Sequence, residues 1–461
     1  VLSANQASPA GDSPARARGS FGAAVAILTL VRIASIGAGF LATVIAARLI
    51  GADGLGSAGA ALTIATIGAL LANGGLNIAI IFHLGRRPEE RVSIVAWTAA
   101  LGGLATLLAA GVVLGIGLAL RDAVLNGAST ALLLWTAALG AGVLSFELTG
   151  AVLLGLERRR AYIAIQVVEA LGGLALTAVI LVGISQSDAG FIAAAALGYW
   201  LAAAVAAVGV VRHLGPFRPS FSAAYSREAL GMGIRGQIGN VLQFLNLRLD
   251  LLLVPALLNL ASAGVYLVAV RISEVITQVS SSAAAFLFPH VAGQSERNAT
   301  TTTETTARMT LLIVIASGLL LALLADPILA IAFGPAFSSG AWTVRITLLA
   351  MIPLALVRLL ASDLKGRGRP GIVSIAALLA LAATVIFDLL LIPALGINGA
   401  ALASLIAYTV SAAGLLVAYR RITGGALGAL LPGPRDFVHL RMLAAAALGR
   451  NQPGASAPQD R

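Results

Sequence analysis

The chain contains no cysteine, so neither a disulfide framework nor thiolate chemistry can be built from it. Charge is scarce: Asp, Glu, Lys and Arg together make 11% of the residues, where soluble globular domains carry about 25%. Lysine is nearly missing, with Lys365 the only one. No G-x-x-x-x-G-K-[ST] occurs, which excludes an ATP-driven motor built on that loop within this chain. The four histidines, His83, His213, His290 and His439, show no metal-ligand spacing, and no Ser/His/Asp grouping stands out. No catalytic residue, cofactor site or metal site is therefore expected, and the chain reads as a non-enzyme.

Apolar residues fill the space that charge leaves. They make 59% of the chain, and the mean hydropathy is +0.96. Runs of roughly 20 apolar residues recur from end to end, which is the length needed to cross a bilayer as a helix. Backbone in hydrocarbon must satisfy its own hydrogen bonds, and long Ala/Leu/Val runs do so as helices. The fold class predicted is all-α integral membrane with about twelve spans, at 21–48, 57–83, 92–120, 129–155, 161–185, 189–211, 229–257, 262–289, 309–332, 338–363, 371–394 and 398–420. Residues 1–20 read as a polar disordered tail. The run that follows, Phe21 to Ala47, is too long for a secretory signal core of 7–15 residues, so it reads as a retained first span. The loops that would face away from the cytoplasm are tiny, which disfavours a polytopic glycosyltransferase or polymerase.

The basic residues alternate. Arg16, Arg18, Arg86, Arg87, Arg91, Arg158–Arg160, Arg212, Arg218, Arg227, Arg297, Arg308, Lys365, Arg367, Arg369, Arg420 and Arg421 fall on one set of loops and on the tails. The opposite set holds Arg48 and Arg121. The positive-inside rule puts both termini in the cytoplasm. The net charge of +11 is thus a topology signal and not a nucleic-acid footprint.

"RLIGADGLGSAGAA", 48–61, contains a literal G-x-G-x-x-G at Gly54–Gly59. A dinucleotide site needs a strand before it, a helix after it and an acid about 20 residues on. Here an apolar span precedes it and no acid follows. The stretch reads as the tight outer turn between the first two spans. A shift of 208 lays it on "ALLNLASAGVYLVA", 256–269, with Gly56 on Gly264 and Arg212 on Arg420. Two parallel six-span halves follow: an N-terminal bundle 21–212, a cytoplasmic linker 213–228, a C-terminal bundle 229–421 and a tail 422–461. Repeated halves are a transporter architecture with its site at their interface.

Ionisable groups inside spans are costly and mark functional candidates. The seventh and eighth spans form a hairpin turning near Asn259–Ala261. Asp250 and Arg271 lie nine and ten residues from that turn, about 14–15 Å deep at 1.5 Å per residue. Arg248 and Glu274 lie about one turn deeper, and Arg271 and Glu274 share a face at i, i+3. Two arginines and two carboxylates can thus meet near the midplane, either as a neutral clamp or as a phosphate site whose carboxylates change partners. Arg32, in the first span, has no acid one turn away and wants an anion or a cavity. Glu147 and Glu169 flank the turn 156–160 at equal depth, and either share a proton or bond separately to neighbouring helices. Arg345 and Asp388 are further ionisable residues within spans, and Arg235, Arg358 and Asp363 lie near helix ends and can snorkel. Pro255 and Pro353 lie inside second-half spans, so bending is expected there.

"ARLIGADGLGSAGAAL", "LRLDLLLVPALLNLASAGVYLVAVRISE", "FLFPHVAG", "KGRGRP" and "FDLLLIPALGINGAALASLIAY" occur in this order over 47–408. In these stretches, and over roughly 20–421, the chain resembles the Wzx-type oligosaccharide-lipid flippases of the multidrug/oligosaccharidyl-lipid/polysaccharide exporter superfamily. The resemblance implies a MATE-like transporter fold in a bacterial inner membrane. It implies translocation of undecaprenyl-pyrophosphate-linked oligosaccharides, such as lipopolysaccharide or exopolysaccharide precursors, by two halves rocking about a cationic cavity. Arg32, Arg248 and Arg271 would then bind the head group, and Asp250, Glu274, Glu147 and Glu169 would serve gating or ion coupling. A proton or sodium ion, membrane lipids, a polysaccharide polymerase and glycosyltransferases are the implied partners. Murein-precursor flippases commonly carry two further spans, and this chain reads as twelve followed by a tail that includes "FVHLRMLAAAALGR", an interfacial-helix candidate. The competing readings are a drug or cation antiporter of the same superfamily and a non-transporting scaffold of a polysaccharide assembly complex.

Overall fold

The computed structural model describes residues 14–434 and Asp436; the side chains before Val31, those of Arg32 and Leu427 and several between Ala224 and Ile238, Arg235 among them, lie outside the described residues, as do the first thirteen residues and the tail helix expected from Phe437 on. The described elements are helical. The first, α1 (Pro14–Asn73), runs 60 residues, which as one rod would span about 90 Å. It breaks at Gly51, where φ is 69°. Its arms run along the same later helix in opposite directions: Ile36 and Phe40 share a cavity with Val275 and Gln278, while Gly56 and Gly59 lie against Leu260 and Leu267. The turn expected across Gly54–Gly59 is therefore a single residue, Gly51. GLGSAG itself is the start of the second arm.

Then follow α2 (Leu76–Arg86), α3 (Arg91–Ala119), α4 (Thr130–Gly155), α5 (Arg159–Gly183), α6 (Asp188–Leu214), α7 (Ala223–Arg248), α8 (Asp250–Leu257) and α9 (Leu260–Ala292). They continue as α10 (Glu296–Leu323), the short α11 (Ala325–Ile328), α12 (Ala341–Gly366), α13 (Pro370–Leu395) and α14 (Ile397–Thr423). Ser129, Ser187, Ser222 and Asn259 start α4, α6, α7 and α9 by accepting from a backbone N–H three residues on. Ten described helices are long and apolar enough to cross a membrane, and α7 with α8 makes an eleventh, bent by 41°. Dividing α1 at Gly51 brings the total to twelve.

Two expected spans differ from the expectation. The run 57–83 is interrupted at Gly74 and Gly75, both left-handed (φ 53° and 83°), and resumes as α2. The run 229–257 bends between Arg248 and Asp250, two residues the sequence places side by side at depth.

Packing differs between the two ends of the bundle. Toward the Gly51 end one continuous core joins both halves, from Ala46–Ala65 through Leu132–Leu139 to Val254–Ile276 and Val344–Ala355. Toward the arginine-rich end it divides. One core gathers Leu76–Leu84, Ile94–Trp97 and Leu144–Leu156, and another gathers Leu287, Val291, Leu359–Leu364 and Leu415–Tyr419. The continuous core thus ends short of the arginine-rich end, where two smaller cores take over. Outward-facing Leu104, Leu107, Val182, Ile386 and Leu390 are exposed, as a bilayer-facing surface requires.

Candidate functional site

A cavity of about 500 Å³ sits where the shared core ends, between α1, α7–α8, α9, α12 and α14. Arg248, Arg271 and Arg358 line it, together with Asp250 and Glu274. The bend after Arg248 lets α7 present the arginine while α8 turns Asp250 inward. Arg248 and Arg271 share one acid: Glu274 lies 2.5 Å from Arg248 and 3.2 Å from Arg271. These three side chains keep 23–35% of their exposure, so they face open space and not a sealed core. One carboxylate between two guanidiniums leaves a local surplus of positive charge. Arg358, from α12, reaches back to α9 and donates to the Thr277 carbonyl at 3.4 Å and to the Ser281 hydroxyl.

Asp250 behaves differently. It is 5% exposed and accepts from the Tyr266 hydroxyl, from Ser404 Oγ at 3.3 Å and from the Leu251 N–H at 2.8 Å. Asp250 and Arg271 therefore line one cavity without being ion-paired to each other. Asp388 on α13 lies within electrostatic reach of Asp250, and is fully buried with both carboxylate oxygens lacking a hydrogen-bond partner. One turn earlier Thr384 donates to Asn246 of α7 at 2.8 Å. A bare buried carboxylate costs several kcal/mol.

The family model for polysaccharide biosynthesis proteins matches residues 45–341, more than half of the chain. The chain belongs to this family. No curated protein sequence matches it significantly. Among solved structures, the polysaccharide biosynthesis protein is similar to a lipid II flippase, MurJ, in an inward closed conformation: 14% identity, 93% of each chain, TM-score 0.72. It is similar to a multidrug resistance MATE family transporter of the MOP superfamily in an inward-facing conformation, at 14% identity over 83% of this chain and 94% of that one, with a TM-score of 0.65. A MOP superfamily transporter from Pyrococcus furiosus, described as having a reversed polarity of its binding pocket, follows at 15% identity, 87% and 96% coverage and a TM-score of 0.60. These similarities establish a multi-pass membrane transporter fold of the MATE type, and the neighbours are flippases or transporters.

Of the residues the sequence singles out in this family member, Arg248, Arg271, Asp250 and Glu274 meet at one cavity. The side chain of Arg32 lies outside the described residues; its position is one turn before Ser35 and Ile36, which line the cavity. Glu147 and Glu169 do not share a proton through direct contact. Glu147 accepts from Asn73 at 2.8 Å, and Glu169 bonds Tyr199. Each is satisfied by a neighbouring helix, the second of the two arrangements the sequence leaves open. Arg358, expected to snorkel, instead lines the cavity. Tyr266 and Ser404 were not singled out, because their meeting with Asp250 depends on how α9 and α14 close around α8; Asp388 was legible as an ionisable residue within a span. The "FDLLLIP" segment carried the only signal, an acid in the middle of an apolar span.

Proposed function

We propose that the chain moves undecaprenyl-pyrophosphate-linked oligosaccharide units across a bacterial inner membrane, with both termini cytoplasmic. The observation that carries this is the pair of arginines, Arg248 and Arg271, held by one shared carboxylate on the wall of the central cavity. A guanidinium fork bonds two oxygens of a phosphate at once. A pyrophosphate carries more charge than Glu274 and more oxygens, so it can replace that carboxylate on both arginines. Glu274, released, becomes free to bond elsewhere as the halves move. Head-group binding and rearrangement are then one event. Arg32 is proposed as a third phosphate ligand. Residues 21–212 and 229–421 are proposed as the rocking halves, with 213–228 as their cytoplasmic linker. Asp250 with Asp388 is proposed as the place where a proton or sodium ion couples. Glu147 and Glu169 stay as secondary candidates for proton transfer. A polymerase and glycosyltransferases are the proposed neighbours in the membrane, and the chain itself acts as a non-enzyme.

The test is polysaccharide export in cells lacking the native protein, with Arg248→Ala and Arg271→Ala at matched membrane levels. A charge-assisted hydrogen bond contributes about 1.5–3 kcal/mol, so each substitution should lower export roughly ten- to hundredfold. Wild-type export from both variants, or drug efflux without lipid-linked-sugar translocation in vesicles, removes this reading. The second reading, a cation antiporter, draws on the Asp250–Asp388 pair; it predicts that Asp388→Asn abolishes transport of organic cations while the arginine variants retain it. A scaffold role predicts normal export with failed complex assembly when Arg271 is reversed in charge.

A further inference from the structure

A second cavity, of about 520 Å³, lies directly below the first toward the arginine-rich end, between α7, α9 and α12. The two cavities have Ser281 and Arg358 in common. The charged residues on its wall are Arg358 and Lys365, seven positions and about two turns apart on one face of α12, and no carboxylate is among the described residues lining it. Gln243 and Ser362 add polar groups. Phe288, 48% exposed, and the small Ala284 and Ala285 form an apolar side contributed by α9. Arg358 is anchored between the two spaces by Thr277 and Ser281 of α9. The chain's only lysine thus lines a cavity that adjoins, through Arg358 and Ser281, the one lined by Arg248, Arg271 and Glu274.

We propose that this second cavity is a cytoplasmic vestibule that captures a phosphate anion on a lipid and hands it to the central arginines. Lys365 attracts the anion. Arg358 takes it over with a planar fork and passes it inward by a short step, because it lines both spaces. Phe288 beside the cations suits the first isoprene units of the same molecule, which a soluble phosphate lacks. The inference rests on the reading of the central cavity as a head-group site and adds a capture step before it. A compact, mobile ammonium at the lip and a rigid guanidinium inside is the order such a relay needs. Capture by an exposed charge acts on the rate of arrival and weakens with salt.

The absence of native cysteine makes the test direct. Ala285→Cys places a single thiol on the vestibule wall of the full-length chain. Its labelling by an anionic and by a cationic methanethiosulfonate reagent is compared with that of free mercaptoethanol in 20 and 500 mM salt, on the order of the range over which screening changes strongly. The expected result is a preference for the anionic reagent of about tenfold at low salt, lost at high salt. Lys365→Gln and Arg358→Gln in the same background should each reduce it severalfold. Farnesyl pyrophosphate should protect the thiol, whereas inorganic pyrophosphate at equal concentration should not. No anionic preference, or a preference unchanged by Lys365→Gln, overturns the vestibule. Equal protection by inorganic pyrophosphate overturns its assignment to a lipid-linked anion. Direct binding of farnesyl pyrophosphate to the unmodified protein separates the two levels. Binding that is lost in Arg271→Ala, without protection of the thiol, leaves the central site standing and removes the vestibule. No binding at all, with the charge preference intact, removes the head-group reading and the capture of a lipid-linked anion with it.

Discussion

Glu274 is the residue on which the proposed site turns. It neutralises one of two arginines and competes with any anion for both. Glu274→Gln keeps the shape and removes that competition. Prenyl pyrophosphate should bind this variant about tenfold more tightly, while export falls, because the bound anion no longer has a rival to release it. Isothermal titration and an export assay on the same variant check both halves. Asp388 makes a different prediction. Its oxygens are buried without partners, so the wild-type fold carries the cost of that carboxylate unless a proton or cation meets it. Asp388→Asn should therefore unfold at the same or a higher temperature. The wild-type midpoint should rise with added sodium or with acid, and that of the variant should not. A thermal scan in detergent across salt and pH is sufficient, and a variant that still responds like wild type removes Asp388 from coupling. Arg248, Arg271 and Glu274 were legible from spacing alone, because a hairpin fixes equal depth on its two legs. Asp388 was legible as an acid within an apolar span, but its electrostatic coupling to Asp250, 138 positions earlier on another helix, was not.

At the scale of elements, the two closures between halves are built differently. Near the Gly51 end, helices touch backbone to backbone. A methyl group on Gly56 would lie 1.9 Å from the Leu260 carbonyl oxygen, and one on Gly264 would lie 2.0 Å from that of Ala52. These are the two glycines that the 208-residue shift superposes, so the register mark of the repeat is also its contact. Gly264→Leu should force α9 off the second arm of α1 and hold this end apart. Export should fall at least tenfold, and a thiol placed at Ala263, which is buried beside Gly264, should become reactive from the outside of intact cells. Protection of that thiol as in the unsubstituted background would remove the closure argument. The other end is shut by α7 lying on α2 and α3. Gly233 crosses Gly75 with no room for a side chain, Gln237 donates to the Leu70 carbonyl at 2.5 Å, and Trp97 donates to Ser226 Oγ at 3.0 Å. Arg87 meets Glu228 at 3.2 Å, an exposed pair worth at most about 1 kcal/mol. One helix and a few polar contacts form a weaker seal than a shared apolar core.

For the whole molecule, that asymmetry predicts which way it opens first. Spin labels at Glu89 and Arg227 report on the α7 closure, and labels at Asp53 and Ala256 report on the Gly51 end. Without ligand, the first pair should show the broader distance distribution. Farnesyl pyrophosphate should then change the two pairs in opposite senses, one lengthening as the other shortens. Two unchanged, single distances would rule out rocking. The sequence by itself determined the membrane as solvent, about twelve spans and the pairing of Arg248 with Glu274 across the hairpin. It could do so because hydropathy and the 1.5 Å rise are local or additive quantities. It marked Gly56 and Gly264 as equivalent but could not say that they touch. Only the tertiary structure decided that contact, the single-residue turn at Gly51, the bend between Arg248 and Asp250, and the meeting of Asp250 with Tyr266 and Ser404. Those depend on how far each helix is rotated about its own axis and how closely two backbones approach. Both are fixed by packing against helices far away in the chain, and in an all-round apolar span no local pattern encodes them.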